Sequence, residues 1–235
     1  MKIEIADIVI EFEAKYDYIS SLVQEYKTTS PADFSVYATD SEIKDAQKRY
    51  SESDYAAESI AIYSKIADAL PRYDAILMHG AAIADGDSAY LITAPSGVGK
   101  TTHVNNWLAS FGDSVHVLNG DKPIVRYFDG TPFVCGTPWQ GKEGLGVREK
   151  KKLGAIVIFR RGEINRAEQV EAQNVSEKLL SQIYIPRGIE EMQAALSLLD
   201  RLLSDIPIIV AECNMEKNSA FVVRDAIIKA RARYE

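Results

Sequence analysis

The run Ser96-Gly97-Val98-Gly99-Lys100-Thr101-Thr102 has the residue types and spacing to cradle a chain of phosphates. Glycines at 97 and 99 let successive backbone N–H groups turn inward, Lys100 can reach terminal phosphates, and the Thr101 hydroxyl can sit on Mg²⁺. One position departs from the pattern, because Ala94 stands where a leading glycine is expected. The chemistry this spacing predicts is nucleotide binding, with Ser96 through Thr102 as the contacts.

An acidic group belongs with the loop. A helix of about ten residues leaving the loop rises roughly 15 Å, and a strand of about five residues returns roughly 17 Å, which brings Asp121 back to the level of the phosphates. From there its carboxylate can hold Mg²⁺ directly or through water, completing a metal site with Thr101. Asn119-Gly120-Asp121 is equally a good turn. His79 ends an apolar strand, where a histidine either supports a catalytic carboxylate or is a satisfied structural residue. His103 follows the loop on the helix, where it approaches phosphate or faces solvent; it is assigned no role, and neither is His116.

The elements that must position these groups are legible as patterns. Ala89 to Thr93 reads as a buried strand entering the loop and Thr101 to Ser110 as the helix leaving it. Upstream, Ala75 to Met78 and Ala81 to Ala84 are strands, with a turn at Asp85-Gly86, so a hairpin feeds the loop. Downstream, Gly112 stops the helix, Val115 to Leu118 is a strand, and Ile124 to Phe128 pairs with Thr131 to Cys135 across Asp129-Gly130. The sheet is therefore expected to be mixed. Leu153 to Phe159 and Ile206 to Ala211 read as strands, and Val175 to Ile183, Ile189 to Leu203 and Val222 to Ala232 as helices. Before Ala75 the chain reads as a small α+β unit. Ile3 to Phe12 is strand-like with a break near Ala6-Asp7, Ile19 to Tyr26 keeps helical spacing, Phe34 to Ala38 is a strand, and a helix over Ala56 to Leu70 is closed by Pro71.

Composition bounds the function classes. At 235 residues and 46% hydrophobic the chain can bury a full core. Cys135 and Cys213 lack any metal-ligand or disulfide-framework spacing. No run resembles a signal peptide or a membrane span, so the expected location is cytoplasmic with no membrane partner. The net charge of −7 lies wholly in the first part: 8 Lys and Arg stand against 15 Asp and Glu up to Asp74, leaving 19 of each beyond it. That acidity argues against nucleic acid and favours a basic peptide or protein surface, unless the acid merely solvates the unit. The expected organisation is an acidic α+β region over 1–74 and a P-loop domain over 75–235.

The order His79-Gly80, hairpin, Ala-Pro-Ser-Gly-Val-Gly-Lys-Thr-Thr-His, helix, Asn119-Gly120-Asp121-Lys122-Pro123 resembles the catalytic domain of HPr kinase/phosphorylase and its phosphoenolpyruvate carboxykinase-like relatives. The likeness covers roughly Ala75 to Glu235. It extends to Gly136-Thr137-Pro138-Trp139 and the following Gln140-Gly141-Lys142-Glu143-Gly144, a loop similar to one in small relatives described as peptide serine kinases. The resemblance implies a mixed-sheet α/β P-loop core with flanking helices. It also implies ATP and Mg²⁺ as cofactors, transfer of the γ-phosphate to a serine of a peptide or small protein, and possible assembly of identical chains. Lys100, Asp121 and His79 take the catalytic positions. Gly120 stands where the family has a first aspartate, which leaves the proton acceptor to Asp121 or to Glu143. Trp139 either covers an adenine or substrate or fills the core. The basic residues Lys142, Arg148, Lys150, Lys151, Lys152, Arg160 and Arg161 either stabilise phosphate charge or form solvated faces, with Arg148 and Lys142 the ones retained as candidates. The alternatives are a small-molecule phosphotransferase or carboxykinase-like enzyme, and a nucleotide sensor without turnover.

Overall fold

Alternation of apolar side chains along the chain becomes, in three dimensions, the two buried faces of one sheet. In β6 (Ser88–Thr93) Ala89 and Leu91 enter one core while Tyr90 and Ile92 enter another. Strand β10 (Lys150–Arg161) does the same, with Ile156 and Ile158 on one side and Ala155, Val157 and Phe159 on the other. Both faces are covered, so these strands read as continuous apolar runs. The computed structural model describes residues 1–233; the last two residues of the expected 75–235 region lie outside the described residues.

The large sheet also contains β4 (Ala75–Leu77), β5 (Ala81–Asp85), β7 (Val115–Asn119), β8 (Ile124–Phe128), β9 (Thr131–Cys135), β11 (Arg166–Val170) and β12 (Ile208–Cys213). Its main path runs β4-β8-β9-β10-β6-β5-β7. Strand β10 is parallel to β6 and β12 and antiparallel to β9, so the mixed sheet expected from the hairpins is present. Helices α4 (Lys100–Phe111) and α7 (Asn218–Arg231) cover one face; α5 (Ser176–Leu180) and α6 (Ile189–Asp205) cover the other.

The first part forms a separate three-stranded sheet of β1 (Lys2–Ile5), β2 (Ile8–Phe12) and β3 (Phe34–Val36), packed against α1 (Asp17–Leu22), α2 (Asp40–Tyr50) and α3 (Asp54–Ala69). The break near Ala6-Asp7 is a two-residue hairpin turn, both residues having positive φ of 53° and 56°. Such a turn matches the strand twist but ordinarily selects Gly or Asn, which is why the sequence pattern concealed it. Helix α2 was not expected, although its start carries a capping box: Thr39 accepts from the Glu42 amide and Glu42 accepts from the Thr39 amide. Strand β11 was also missed, because its alternating exposed and half-buried residues carry no apolar run. Helix α5 is shorter than the expected Val175 to Ile183.

Helix α4 is pinned to the sheet by a buried aromatic cluster. Trp107 is fully buried and donates from Nε1 to Nε2 of His103 at 3.0 Å, and His103 stacks on Phe159 with ring centroids 4.5 Å apart. His103 thus neither approaches phosphate nor faces solvent. Because its Nε2 accepts, its Nδ1 carries the hydrogen and donates to Ser219 Oγ at 3.2 Å. Protonation would aim a second N–H at the Trp107 donor, and burial pushes the His103 pKa down to about 4. Between the ordinary histidine value near 6.5 and about 4, the unfolded chain binds a proton that the folded one refuses. Stability is therefore full above that window and declines as pH falls through it, by up to about 3 kcal/mol from this residue. Denaturant midpoints measured from pH 7 to pH 4.5 should fall accordingly, and His103→Asn should flatten the slope.

Candidate active site

The loop between β6 and α4 has the geometry its sequence requires. Gly97 and Gly99 hold φ of 79° and 112°, the left-handed region that side chains disfavour, and the helix begins directly at Lys100 with no acidic residue in its first turn. A helix N-terminus with inward-turned amides and no competing carboxylate is suited to anions. Ser96, Gly97, Gly99, Lys100 and Thr101 line a cleft of about 410 Å³ together with His79, Asp121, Lys142 and Glu143. Val98 faces a neighbouring cavity, and Thr102, half-buried on α4, does not line the cleft.

Asp121 reaches the loop from the end of β7, as the helix-and-strand length argument expects. Its placement is fixed by Asn119, fully buried, whose Oδ1 accepts from the amides of Asp121 at 2.9 Å and Lys122 at 2.7 Å. The Asn119 side-chain NH₂ donates to Thr137 O and Oγ1, both at 3.0 Å. The turn and the approach to phosphate are therefore one feature, since the Asx turn is what aims the carboxylate.

His79 stands between two ammonium groups. Its Nε2 is 3.2 Å from Lys100 Nζ, its Nδ1 is 2.8 Å from Lys122 Nζ, and Asp121 Oδ1 is 3.5 Å from the same Nδ1. Neutral imidazole offers one lone pair, so only one lysine can donate to it favourably. Burial first, then Lys122 and Lys100, push the His79 pKa down to about 4, with Asp121 opposing. Burial likewise lowers Lys100, against the pull of Asp121. The cleft is thus crowded with cations that an incoming polyanion would relieve. Lys122 was given no role from the sequence; its Nζ also lies 3.1 Å from Asp121 Oδ2. No motif marks it, and only the fold of the Asn119 turn brings it to His79.

The same fold accounts for Gly120. A Cβ at this position would lie 2.5 Å from the carbonyl oxygen of Gln140 and 3.3 Å from that of Leu145. The backbone of the Gln140–Leu145 segment occupies the space an aspartate would need. That close approach also brings Glu143 into the cleft, where its Oε1 accepts from Thr101 Oγ1 at 3.3 Å. Asp121 Cγ and Glu143 Oε2 each lie 3.7 Å from the point where a Cβ on Gly141 would stand. The pair faces the start of α4 from one side.

Two candidates are corrected. Trp139 is 9% exposed, donates from Nε1 to Ser59 Oγ at 3.0 Å and packs on Tyr63, so it joins the first unit to the sheet and covers no ligand. Arg148 donates to Glu4 Oε2 at 2.8 Å and to Glu25 O at 3.0 Å, and stacks over Tyr26, lining a different cavity and not the loop cleft; it holds β1. Of the basic run, Lys150 and Lys151 pair with Asp7 and Glu149. Lys142 is exposed at the cleft rim.

No protein-family model matches the chain, and no curated protein matches it. Among solved structures it is similar to the Hpr(Ser) kinase/phosphatase from Coxiella burnetii, at 9% identity and a TM-score of 0.41, over 67% of this chain and 91% of that one. The chemistry of the cleft rests on its own geometry.

Mg²⁺ with nucleotide phosphates fits these residues in a specific way. Among the described residues there is no group of three or more His, Cys, Asp and Glu able to cage a metal. The Thr101 hydroxyl and the flanking carboxylates instead suit an ion that keeps waters and takes phosphate oxygens. Gly120→Ala should cost about 1–3 kcal/mol through overpacking against Gln140. A denaturant midpoint equal to that of the unsubstituted protein would show that the 140–145 segment is not held as described.

Proposed function

We propose that the chain is an ATP-dependent, Mg²⁺-requiring phosphotransferase of the HPr kinase/carboxykinase type, which transfers the γ-phosphate to a serine hydroxyl of a peptide or small protein. The observation that carries the reading is the convergence of Lys100, Asp121 and Glu143 on one cleft over a left-handed glycine loop at a helix N-terminus. Separate strands and a separate loop deliver these groups, and a Gly-rich turn without a ligand needs none of them.

The roles follow from the contacts. The amides of 97–101 hold the β-phosphate, and Lys100 leaves His79 to meet the γ-phosphate. Thr101 and Asp121 would hold Mg²⁺, which would supply neutralisation of the phosphate charge. Asp121 is already engaged by Lys122, whereas among the described residues Glu143 forms no ion pair within 4.0 Å, accepts a hydrogen bond from the Thr101 hydroxyl and feels Lys100 only at longer range. Glu143 is therefore assigned to accept the acceptor hydroxyl's proton, replacing the carboxylate that Gly120 cannot carry. His79, relieved of Lys100, supports Asp121 from 3.5 Å.

The order of motifs from His79-Gly80 to Asp121 supports the serine-kinase branch. The acidic first unit supports a basic peptide or protein surface as partner and disfavours nucleic acid. Among the described residues no helix is long and apolar enough to cross a membrane.

The test uses ATP labelled at the γ-phosphate, incubated with the protein and cell extract. Label should appear on serine in the peptide or protein fraction. Label confined to low-mass products would instead favour a metabolite phosphotransferase, and MgATP binding with no transfer would make the chain a sensor. Lys100→Ala should lose MgATP affinity by at least about tenfold. Glu143→Gln should keep affinity while lowering transfer by about 10² to 10⁴.

A further inference from the structure

A second cavity abuts the loop on its other flank. It measures about 460 Å³, within the usual range for a small-molecule site, and shares the wall residue Pro95 with the phosphate cleft. Its walls are almost entirely carbon, with Val98 from the loop and Ile158 and Phe159 from the carboxyl end of β10. Arg160, Arg161 and Lys178 line it as well. Among the described residues these three side chains make no hydrogen bond, ion pair or ring contact. Elsewhere the chain pairs many of its cations, as Arg187 pairs with Asp68 and Arg224 with Asp85. Three unpaired cations beside an apolar hollow, adjoining a phosphate loop, together describe a site for an anion with an apolar body.

Sheet order decides which part of a ligand this is. Strand β6 delivers the loop; β5 and then β7 lie to one side of it and β10 to the other. Asp121 follows β7, so the metal and the terminal phosphate belong on the β7 flank. An acceptor hydroxyl attacks that phosphate in line with the departing β-phosphate, and hence also from the Asp121 and Glu143 flank. The β10 flank is left for the opposite end of the nucleotide. Parallel strands β6 and β10 end there side by side, and the crevice outside the carboxyl ends of parallel strands is where such folds take ligands.

We propose that this cavity receives the base and sugar of the nucleotide, with Arg160, Arg161 and Lys178 complementing the negative charge of the α-phosphate. The inference rests on the nucleotide-binding reading above and adds where the base goes. It also bears on selectivity. On the wall, Thr93 Oγ1 lies 2.8 Å from His79 O and 3.0 Å from Gln182 Oε1 and gives its one hydrogen to one of them, and Gln182 Nε2 donates one of its two hydrogens to Ser181 Oγ. The donors left on the wall, the second Gln182 N–H and the Arg160 and Arg161 guanidiniums, can meet the N7 acceptor that adenine and guanine share, so binding should depend on burial and charge and discriminate weakly between the two.

Calorimetry with MgATP, MgGTP and inorganic tripolyphosphate separates the two readings, because tripolyphosphate can occupy the loop but not the cavity. The unsubstituted protein should bind MgATP at least about tenfold more tightly than tripolyphosphate, and MgGTP within about threefold of MgATP. Ser181→Trp, which fills the cavity from its exposed rim, should weaken MgATP by at least about tenfold and leave tripolyphosphate unchanged. Arg161→Ala, at an exposed position, should weaken MgATP and tripolyphosphate alike, because tripolyphosphate also places a phosphate at the α position, and no change for either probe overturns the charge assignment. MgATP binding that equals tripolyphosphate, or a Ser181→Trp effect that is absent or equal for both probes, overturns the cavity assignment while the phosphate site stands. A preference for one purine above about tenfold overturns the reading of the wall. Failure of the unsubstituted protein to bind either nucleotide or tripolyphosphate removes the nucleotide reading as well.

Discussion

One buried amide holds the Asp121 side of the cleft together. Asn119 is fully buried, and its side chain binds forward to the amides of Asp121 and Lys122 and sideways to Thr137. Thr137 in turn donates to the carbonyl of Lys122 at 2.8 Å, so the turn and the strand after it are closed on each other. A buried polar network of this kind is stable only when every partner is present, because an unsatisfied group inside the protein costs about 1–3 kcal/mol. The backbone of Asp121 is tied again where its carbonyl accepts from Gly80 at 3.0 Å, next to His79. Three segments far apart in sequence are thereby brought to one point, and the side chains of Asp121, Lys122 and His79 have little freedom to be elsewhere.

Around that point positive charge is crowded. His79 faces ammonium groups on both ring nitrogens, and Lys100 and His79 both have lowered pKa values from burial and from neighbouring charge. Such an arrangement is costly by itself, because the cations repel one another and burial withdraws water from them. Glu143 enters from a different direction. The Gln140–Leu145 segment presses its backbone against Gly120, and the contact that excludes an aspartate at 120 is the one that presents a glutamate to Thr101. Loss of one carboxylate and gain of another are a single packing event.

The acidic first unit is joined to this framework by both core and charge. Its apolar cluster continues into Leu77, Ile124, Cys135 and Trp139. Arg126 donates to the carbonyls of Ala6 and Asp7 at 2.6 and 3.1 Å, capping the hairpin turn whose positive φ values neither residue prefers. Basic residues that charge alone would send to a phosphate, Arg148 and Lys150, are used on this joint instead.

Local chemistry was enough to read the glycine-rich loop, the strand before it and the helix after it, because glycines at fixed spacing between an apolar run and a helical pattern have meaning within one turn of chain. The return of Asp121 was also legible, since it needs only helix rise and strand rise. The hairpin at Ala6-Asp7 and strand β11 were not, because their residues lack the turn chemistry or apolar period that marks such elements. The roles of Trp139, Arg148, His103, Lys122 and Glu143 depended on contacts between residues tens of positions apart. Sequence by itself determined the conformation of the glycine loop and the side chains it presents, for these are carried by local backbone preference and adjacent residues. Only the tertiary structure decided which carboxylates and cations surround the loop, because the choice is made by close packing at Gly120 and by the buried amide of Asn119.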